Sequence, residues 1–208
     1  MNRGPVTIAV TGPFACGKST FVKMLGELGA ETVSADEIVH DLLSGDSEAI
    51  ARVAERFGEE VCGEEGIDRK ALGQRVFGDP EALQDLEDIL HPLVRKETDR
   101  RAVAMEAEVF VVEIPLLFEG GRSGTFDLTV AVTAPEERRR KWSEERGVGE
   151  QQRRAIEERQ FSGEEKARRA DLVVVNDAGL DKLREQAKDL WETATSGSGH
   201  DHIRPKEA

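Results

Sequence analysis

Residues 11–20 read TGPFACGKST, and Gly12, Gly17, Lys18 and Ser19 within them satisfy the pattern G-x-x-x-x-G-K-[ST]. The pattern has physical content only in context. An apolar run, VTIAVT at 6–11, precedes it as a strand would, and STFVKMLGELG at 19–29 follows with helical periodicity. A strand that turns through glycines into a helix leaves backbone N–H groups and unsatisfied helix amides converging on one point, which suits phosphate. Lys18 then reaches the β and γ phosphates of a nucleoside triphosphate, and the Ser19 hydroxyl joins a Mg²⁺ shell. Gly12, Ala15, Cys16, Gly17, Lys18, Ser19 and Thr20 are the residues expected to hold the nucleotide, read as ATP.

The filling of this loop is unusual. Pro13 removes one N–H donor from the entry half, whereas Ala15 to Thr20 keep theirs. Cys16 stands beside Lys18 at a helix N-terminus, a setting that lowers a thiol pKa. Two readings are open for it: a reactive thiol that ATP shields, and a small residue filling a small site.

Outward from the loop, short apolar runs recur at 31–35 (ETVSA), 109–114 (VFVVEI), 128–133 (LTVAVT) and 172–176 (LVVVN), each followed by a polar segment of helical pattern. That alternation predicts an α/β fold, a five-stranded parallel sheet with helices on both faces. The interval between the second and third runs is too long for a simple crossover. It carries three helical patterns, with Asp46, Asp68 and Asp79 placed as N-caps, and reads as a helical insertion at about 37–106 that forms a substrate pocket. A charged helical segment at 135–169 separates the fourth and fifth runs. The whole reads as one domain, 1–195, followed by a disordered tail at 196–208 whose two histidines, His200 and His202, do not form a metal site.

Composition narrows the function classes. Lys and Arg number 29 against 42 Asp and Glu, and a net charge of −13 does not build a surface that neutralises a nucleic-acid backbone. No run of about 18 apolar residues exists to cross a membrane, since the most apolar stretch is interrupted by Glu113 and Pro115. The start MNRGPV passes directly into a strand without a signal-like apolar segment, and two cysteines make no disulfide framework. A cytoplasmic protein, monomeric or a weak homo-oligomer, is expected.

The fate of the γ-phosphate is the next question. A guanine switch would show N-K-x-D after a late strand, but that place reads VVVNDAG, without a lysine after Asn176. An ATPase wants an acidic residue closing an apolar strand, and Glu113 is either that or a strand-end polar residue. A kinase needs a carboxylate at the acceptor hydroxyl and cations to offset transition-state charge. Asp36 follows the second strand, where the carboxyl ends of strands border the ligand crevice, and is equally suited to capping the next helix. The segment PEERRRKWSEERGVGEQQRRAIEERQ, 135–160, concentrates cations. Pairs such as Glu136–Arg140 and Glu137–Lys141 give it the look of a solvated helix, with one or two cations facing inward from a lid that excludes water.

Taken in order, the phosphate loop, SADEIVHDLL, RFGEEV, GIDRKALGQRVF, LEDILHPLV, IPLLFE and ADLVVVNDAGLDKLREQ resemble the dephospho-CoA kinase family over about residues 5–190. His91-Pro92 and the stretch Pro115 to Glu119 are the more specific elements. The resemblance implies a helical CoA-binding subdomain made by the insertion, a lid at about 138–162, and transfer of the ATP γ-phosphoryl group to the ribose 3′-hydroxyl of dephospho-CoA. It implies Asp36 as general base. It also puts His91, Pro115, Leu116, Leu117 and Glu119 near the acceptor, and Asn176 on the adenine side. A helix-end ring and a packed apolar turn are the alternative readings of His91 and of 115–119.

The chain departs from the family's pattern in three places. Pro13, Phe14, Ala15 and Cys16 replace Gly-Ile-Gly-Ser; Ser34-Ala35-Asp36 replaces Asp-Ala-Asp; and the family's inward arginines fall near Lys141 and Glu145, with Arg140 and Arg146 one residue away. Lys18, Asp36 and Arg140 or Lys141 are thus the expected catalytic set. The rivals are a kinase of another nucleoside or nucleotide and a non-transferring ATP-binding regulator or ATPase.

Overall fold

The computed structural model describes residues 4–121 and 123–196. Among them the chain forms β1 (Val6–Thr11), α1 (Lys18–Glu27), β2 (Glu31–Ser34), α2 (Ala35–Gly45), α3 (Ser47–Phe57), β3 (Cys62–Gly63), β4 (Gly66–Ile67), α4 (Arg69–Val76), α5 (Pro80–Ala104) and β5 (Val109–Glu113). It continues through β6 (Leu128–Thr133), α6 (Glu136–Glu145), α7 (Glu150–Glu157), α8 (Gly163–Arg169), β7 (Leu172–Val175) and α9 (Leu180–Thr195). Two units result: residues up to Val33 together with those from Met105 onward, and Ser34–Ala104.

In the first unit β1 lies at the centre of a five-stranded sheet of order β2-β5-β1-β6-β7. β1 pairs in parallel with β5, Val6 opposite Val109, and with β6, Ile8 opposite Leu128, while β7 extends the sheet beyond β6. Each central strand is apolar at nearly every position because both faces are covered. On one face Ile8, Val10, Val111, Val130 and Val132 pack against Phe21 and Leu25 of α1 and Leu183, Ala187 and Leu190 of α9. On the other Ala9, Phe110, Val112 and Ala131 are completely buried. Truncating Phe21, which is wholly enclosed, would cost about 3–5 kcal/mol. The edge strand β7 is different, since Leu172, Val173 and Val175 stay 40–44% exposed.

The second unit has its own core, with Leu43, Val53, Phe57, Val61, Leu72 and Leu90 drawn from α2, α3, α4, α5 and the 3₁₀ turn at Glu59–Val61. Its helices begin where side-chain acceptors meet free amides: Asp46 takes Ala49 N at 2.8 Å, Asp68 takes Lys70 N at 2.8 Å, and Asp79 takes Ala82 N at 3.1 Å. The short antiparallel hairpin β3–β4 has no counterpart in the sequence reading, because two-residue strands leave no period to detect. Helix α5 runs unbroken across Pro92, although that residue removes one intrahelical bond. The charged segment 135–169 is three helices, interrupted where Gly147 turns at φ +75° and again before Gly163. Helix α9 ends at Thr195, and the remainder of the expected tail, 197–208 with its two histidines, lies outside the described residues.

Candidate active site

The chain leaves β1 at Thr11 and enters α1 at Lys18, so the loop between them is suspended from the central strand. Gly12 holds φ +150°, and a Cβ there would come 2.1 Å from the Val132 carbonyl oxygen. Gly17 holds φ +96°, and a Cβ there would meet Asn176 Nδ2 at 2.4 Å. Both places therefore exclude any side chain. Ala15 sits at φ +58° despite its Cβ, a left-handed conformation that costs about 1–2 kcal/mol. No side chain caps α1, which leaves its first amides to whatever the loop holds.

Lys18 is buried, and its ammonium curls over the loop to donate to the Pro13 carbonyl at 3.0 Å. The proline that lacks a donor thus contributes an acceptor. Asn176 is also buried and donates its side-chain amide to the Cys16 carbonyl at 3.1 Å. In this structure it shapes the loop. The Cys16 thiol is fully enclosed, 4.0 Å from Lys18 Nζ. Burial pushes its pKa up, against the smaller pull of Lys18. The enclosed thiol sits as a small filler would, because desolvation outweighs the neighbouring charge.

Ser19 opens onto solvent beside the loop and donates its hydroxyl to Glu113 Oε1 at 3.0 Å. Glu113 closes β5, so a hydroxyl and a carboxylate, both hard oxygen donors, meet at the first turn of α1. That donor set suits Mg²⁺, which takes one or two protein oxygens and fills its shell from phosphates and water. Among the described residues no cluster of three or more His, Cys, Asp or Glu could hold a metal.

The stretch after β5 folds back under the loop. The Pro115 carbonyl accepts Thr11 Oγ1 at 3.2 Å and Lys166 Nζ at 2.6 Å. Glu119 Oε1 accepts the Phe161 amide at 2.6 Å and pairs with Lys166 at 2.7 Å. Pro115, Leu116 and Glu119 are half-buried, whereas Leu117 is wholly enclosed and packs the turn. For Leu117, then, the packed-turn reading holds, and an acceptor contact does not suit it.

In α6 the inward cation is Arg139. It donates to the Phe14 carbonyl at 3.3 Å and to Glu157 of α7 at 2.6 Å, and Glu157 also receives the buried Arg153 at 2.7 Å. Arg140 is exposed, and Lys141 points outward, 4.0 Å from Glu145. The inward position expected at Arg140 or Lys141 falls at Arg139, one and two residues earlier, because one helical position turns a side chain by about 100°.

In the second unit Asp36 lies exposed in the first turn of α2. It is not the cap. Ser34 caps α2, accepting Asp36 N at 3.1 Å, while Glu37 reaches back to Ser34 N at 3.0 Å. The serine that stands in place of an aspartate is therefore occupied as a helix cap, and the carboxylate of Asp36 is released from that role. His91 is half-buried at mid-helix in α5, not at a helix end.

Sequence reasoning missed Thr11, Arg139, Glu157 and Lys166. Arg139 and Glu157 lay within a recognised charge-rich segment whose facing residues needed the helix phase. Lys166, in GEEKARR, carried no signal at all.

The family model for dephospho-CoA kinase matches residues 6–182. A dephospho-CoA kinase of Protochlamydia amoebophila is 36% identical over 191 residues, covering 89% of this chain and 94% of the relative. One of Mesorhizobium japonicum is 40% identical over 184 residues, covering 86% and 91%. Among solved structures, TT1252 from Thermus thermophilus superposes with a TM-score of 0.82 at 33% identity, over 94% of this chain and 100% of that one. The dephospho-CoA kinase from Campylobacter jejuni does so with 0.62 at 27%, over 92% and 98%. Shikimate kinase from Acinetobacter baumannii, at 15% identity and a TM-score of 0.53, shares the fold alone. With the family model spanning most of its length and these relatives matching it nearly end to end, the chain belongs to the dephospho-CoA kinase family.

Proposed function

We propose that this chain transfers the γ-phosphoryl group of ATP to the ribose 3′-hydroxyl of dephospho-CoA, the last step of coenzyme A synthesis. The observation that carries the reading is the loop between β1 and α1: a buried Lys18, an uncapped helix start and the Ser19–Glu113 pair, all in a chain of this family.

In this reading the loop amides and Lys18 hold the β and γ phosphates. Ser19 and Glu113 would hold Mg²⁺, which would supply neutralisation of the phosphate charge. Asp36 accepts the 3′-hydroxyl proton as the oxygen attacks. The bond from the γ-phosphorus to its bridging oxygen breaks, and ADP leaves with the electron pair. Arg139, reinforced by Glu157, offsets charge from the lid, with Arg140 and Lys141 as the outer cations of that segment. His91, Pro115, Leu116 and Glu119 line the acceptor side. Pro13 and Cys16 are then tolerated variations, since neither displaces Lys18.

We place the protein in the cytoplasm, where ATP and free cysteines such as Cys16 and Cys62 coexist. It acts as a monomer or weak homo-oligomer, which sedimentation at micromolar concentration checks. A net charge of −13 argues against nucleic-acid partners, and no described helix is long and apolar enough to cross a membrane.

The test is ATP consumption by purified protein with Mg²⁺ and dephospho-CoA, adenosine, AMP or no acceptor, with Lys18→Ala as the blank. Turnover confined to dephospho-CoA supports the reading; hydrolysis insensitive to any acceptor favours an ATPase and removes it. Asp36→Asn keeps ATP binding and loses about 10²-fold or more of the transfer rate; near-normal turnover by that variant withdraws the base assignment.

A further inference from the structure

Lys166 is the one lysine among the described residues with no exposed surface, and the chemistry above does not use it. A wholly buried ammonium is costly unless its hydrogens are all satisfied and an opposite charge lies against it. The opposite charge is present, and two of the three ammonium hydrogens have acceptors. Lys166 Nζ donates to the Pro115 carbonyl at 2.6 Å and pairs with Glu119 at 2.7 Å. Burial lowers the Lys166 pKa, and Glu119 pulls it back. Glu119 in turn leaves Oε2 buried without a partner, which a full positive charge beside it makes tolerable.

These contacts belong to a closed circuit around the phosphate loop. Thr11, the last residue before the loop, holds the Pro115 carbonyl; Lys166 holds the same carbonyl and Glu119; Glu119 takes the amide of Phe161, four residues past the end of α7. Within α7, Glu157 holds Arg139, and Arg139 returns to the loop at the Phe14 carbonyl. The phosphate loop, the 115–119 turn and the helices α6 and α7 are all links in that ring. Lys166, from α8, clamps the acceptor-side turn at two points, Pro115 and Glu119, and Glu119 carries that turn on to the root of the arginine-bearing helices.

We propose that Lys166 is a positioning residue for phosphoryl transfer, fixing the 115–119 turn and, through Glu119, the base of α7 in one register with the phosphate loop. This deepens the kinase reading and rests on it. A cation that only filled the core would affect all functions alike through the folded fraction. A positioning cation separates them: ATP still binds at the loop, but acceptor and lid no longer meet the γ-phosphate in the same geometry. Misplacement of about 1 Å costs about 100-fold in rate, and water then competes for the phosphoryl group.

Lys166→Met leaves Glu119 buried and alone, so it is destabilising. The informative variant is Lys166→Met with Glu119→Gln, which removes both charges together and keeps the volume. Four quantities are measured on wild type, both single variants and the double variant: thermal midpoint, affinity for a fluorescent ATP analogue, kcat and KM for dephospho-CoA-dependent ADP formation, and ADP formation without acceptor. The double variant is expected to fold and to bind the analogue within about threefold of wild type. Its kcat for transfer should fall by about 100-fold, and its ratio of acceptor-free hydrolysis to transfer should rise at least about tenfold. Transfer within about threefold of wild type, or analogue binding, transfer and hydrolysis falling by one common factor, overturns the inference. Lack of transfer to dephospho-CoA by wild type overturns the kinase reading itself, and this inference with it.

Discussion

Asn176 donates its amide to the carbonyl of Cys16, and the same nitrogen stands where any side chain on Gly17 would have to go. The residue that follows β7 therefore braces the phosphate loop. Asn176→Ala removes a buried bond and leaves the Cys16 carbonyl unanswered, a loss of about 1–3 kcal/mol. ATP affinity should weaken about tenfold or more, with a small drop in thermal midpoint. Titration with a fluorescent ATP analogue decides it, and unchanged affinity would remove Asn176 from the loop's support.

The inward placing of Arg139 in α6 has a kinetic consequence. Arg139→Ala breaks the contact between α6 and the phosphate loop and should lower kcat by about 10–100-fold. Lys141→Ala removes an exposed partner of Glu145 and should change kcat by less than about twofold. Steady-state kinetics on the two variants checks the order; a larger loss at Lys141 reverses the assignment.

Ala15 carries a Cβ in a backbone conformation built for glycine. Ala15→Gly should stabilise the protein by about 1 kcal/mol, the relief of strain exceeding the extra freedom gained by the unfolded chain. Urea unfolding measures it. A lower midpoint for the glycine variant would show that the surrounding contacts favour the alanine.

Glu97 in α5 is held by Arg100 at 2.6 Å and by Arg101 at 2.8 Å, and its carboxyl is lowered from 4.5 to about 2, chiefly by the Arg100 hydrogen bond. A folded-state pKa below the unfolded one means that the unfolded chain binds the proton first. The stabilisation is therefore present above about pH 4.5 and is lost as pH falls toward 2. Glu97→Gln should cost about 2 kcal/mol at neutral pH and progressively less as pH falls through about 2. Unfolding midpoints compared at neutral and acidic pH test this, and equal losses at both would assign the effect to packing.

How much of this was visible beforehand follows from the type of signal. The central strands announce themselves because they are apolar enough to be buried on both faces, as Val109–Val112 and Leu128–Val132 are, and the edge strands Glu31–Ser34 and Leu172–Val175 by their place in the alternation with helices. The phosphate loop is equally legible, since Gly12 and Gly17 mark positions where no Cβ fits. The caps at Asp46, Asp68 and Asp79 were legible because capping is local. Ser34 as cap in place of Asp36 was not, since both residues suit the role and only the helix phase separates them. Arg139 needed that phase too. Lys166 needed the third dimension: its partners lie 51 and 47 positions away, at Pro115 and Glu119, and nothing in its own neighbourhood distinguishes it from the charged residues around it.

The enclosure of Cys16 turns the phosphate loop into its own gauge. A thiol alkylates as thiolate and only along an open path, and here burial withholds both. Any modification of Cys16 must pass through a moment when the loop has lifted from its bed. The rate of its labelling, with the half-buried Cys62 as an internal reference, thus converts into the free energy of that local opening, read on the unaltered chain without an engineered probe.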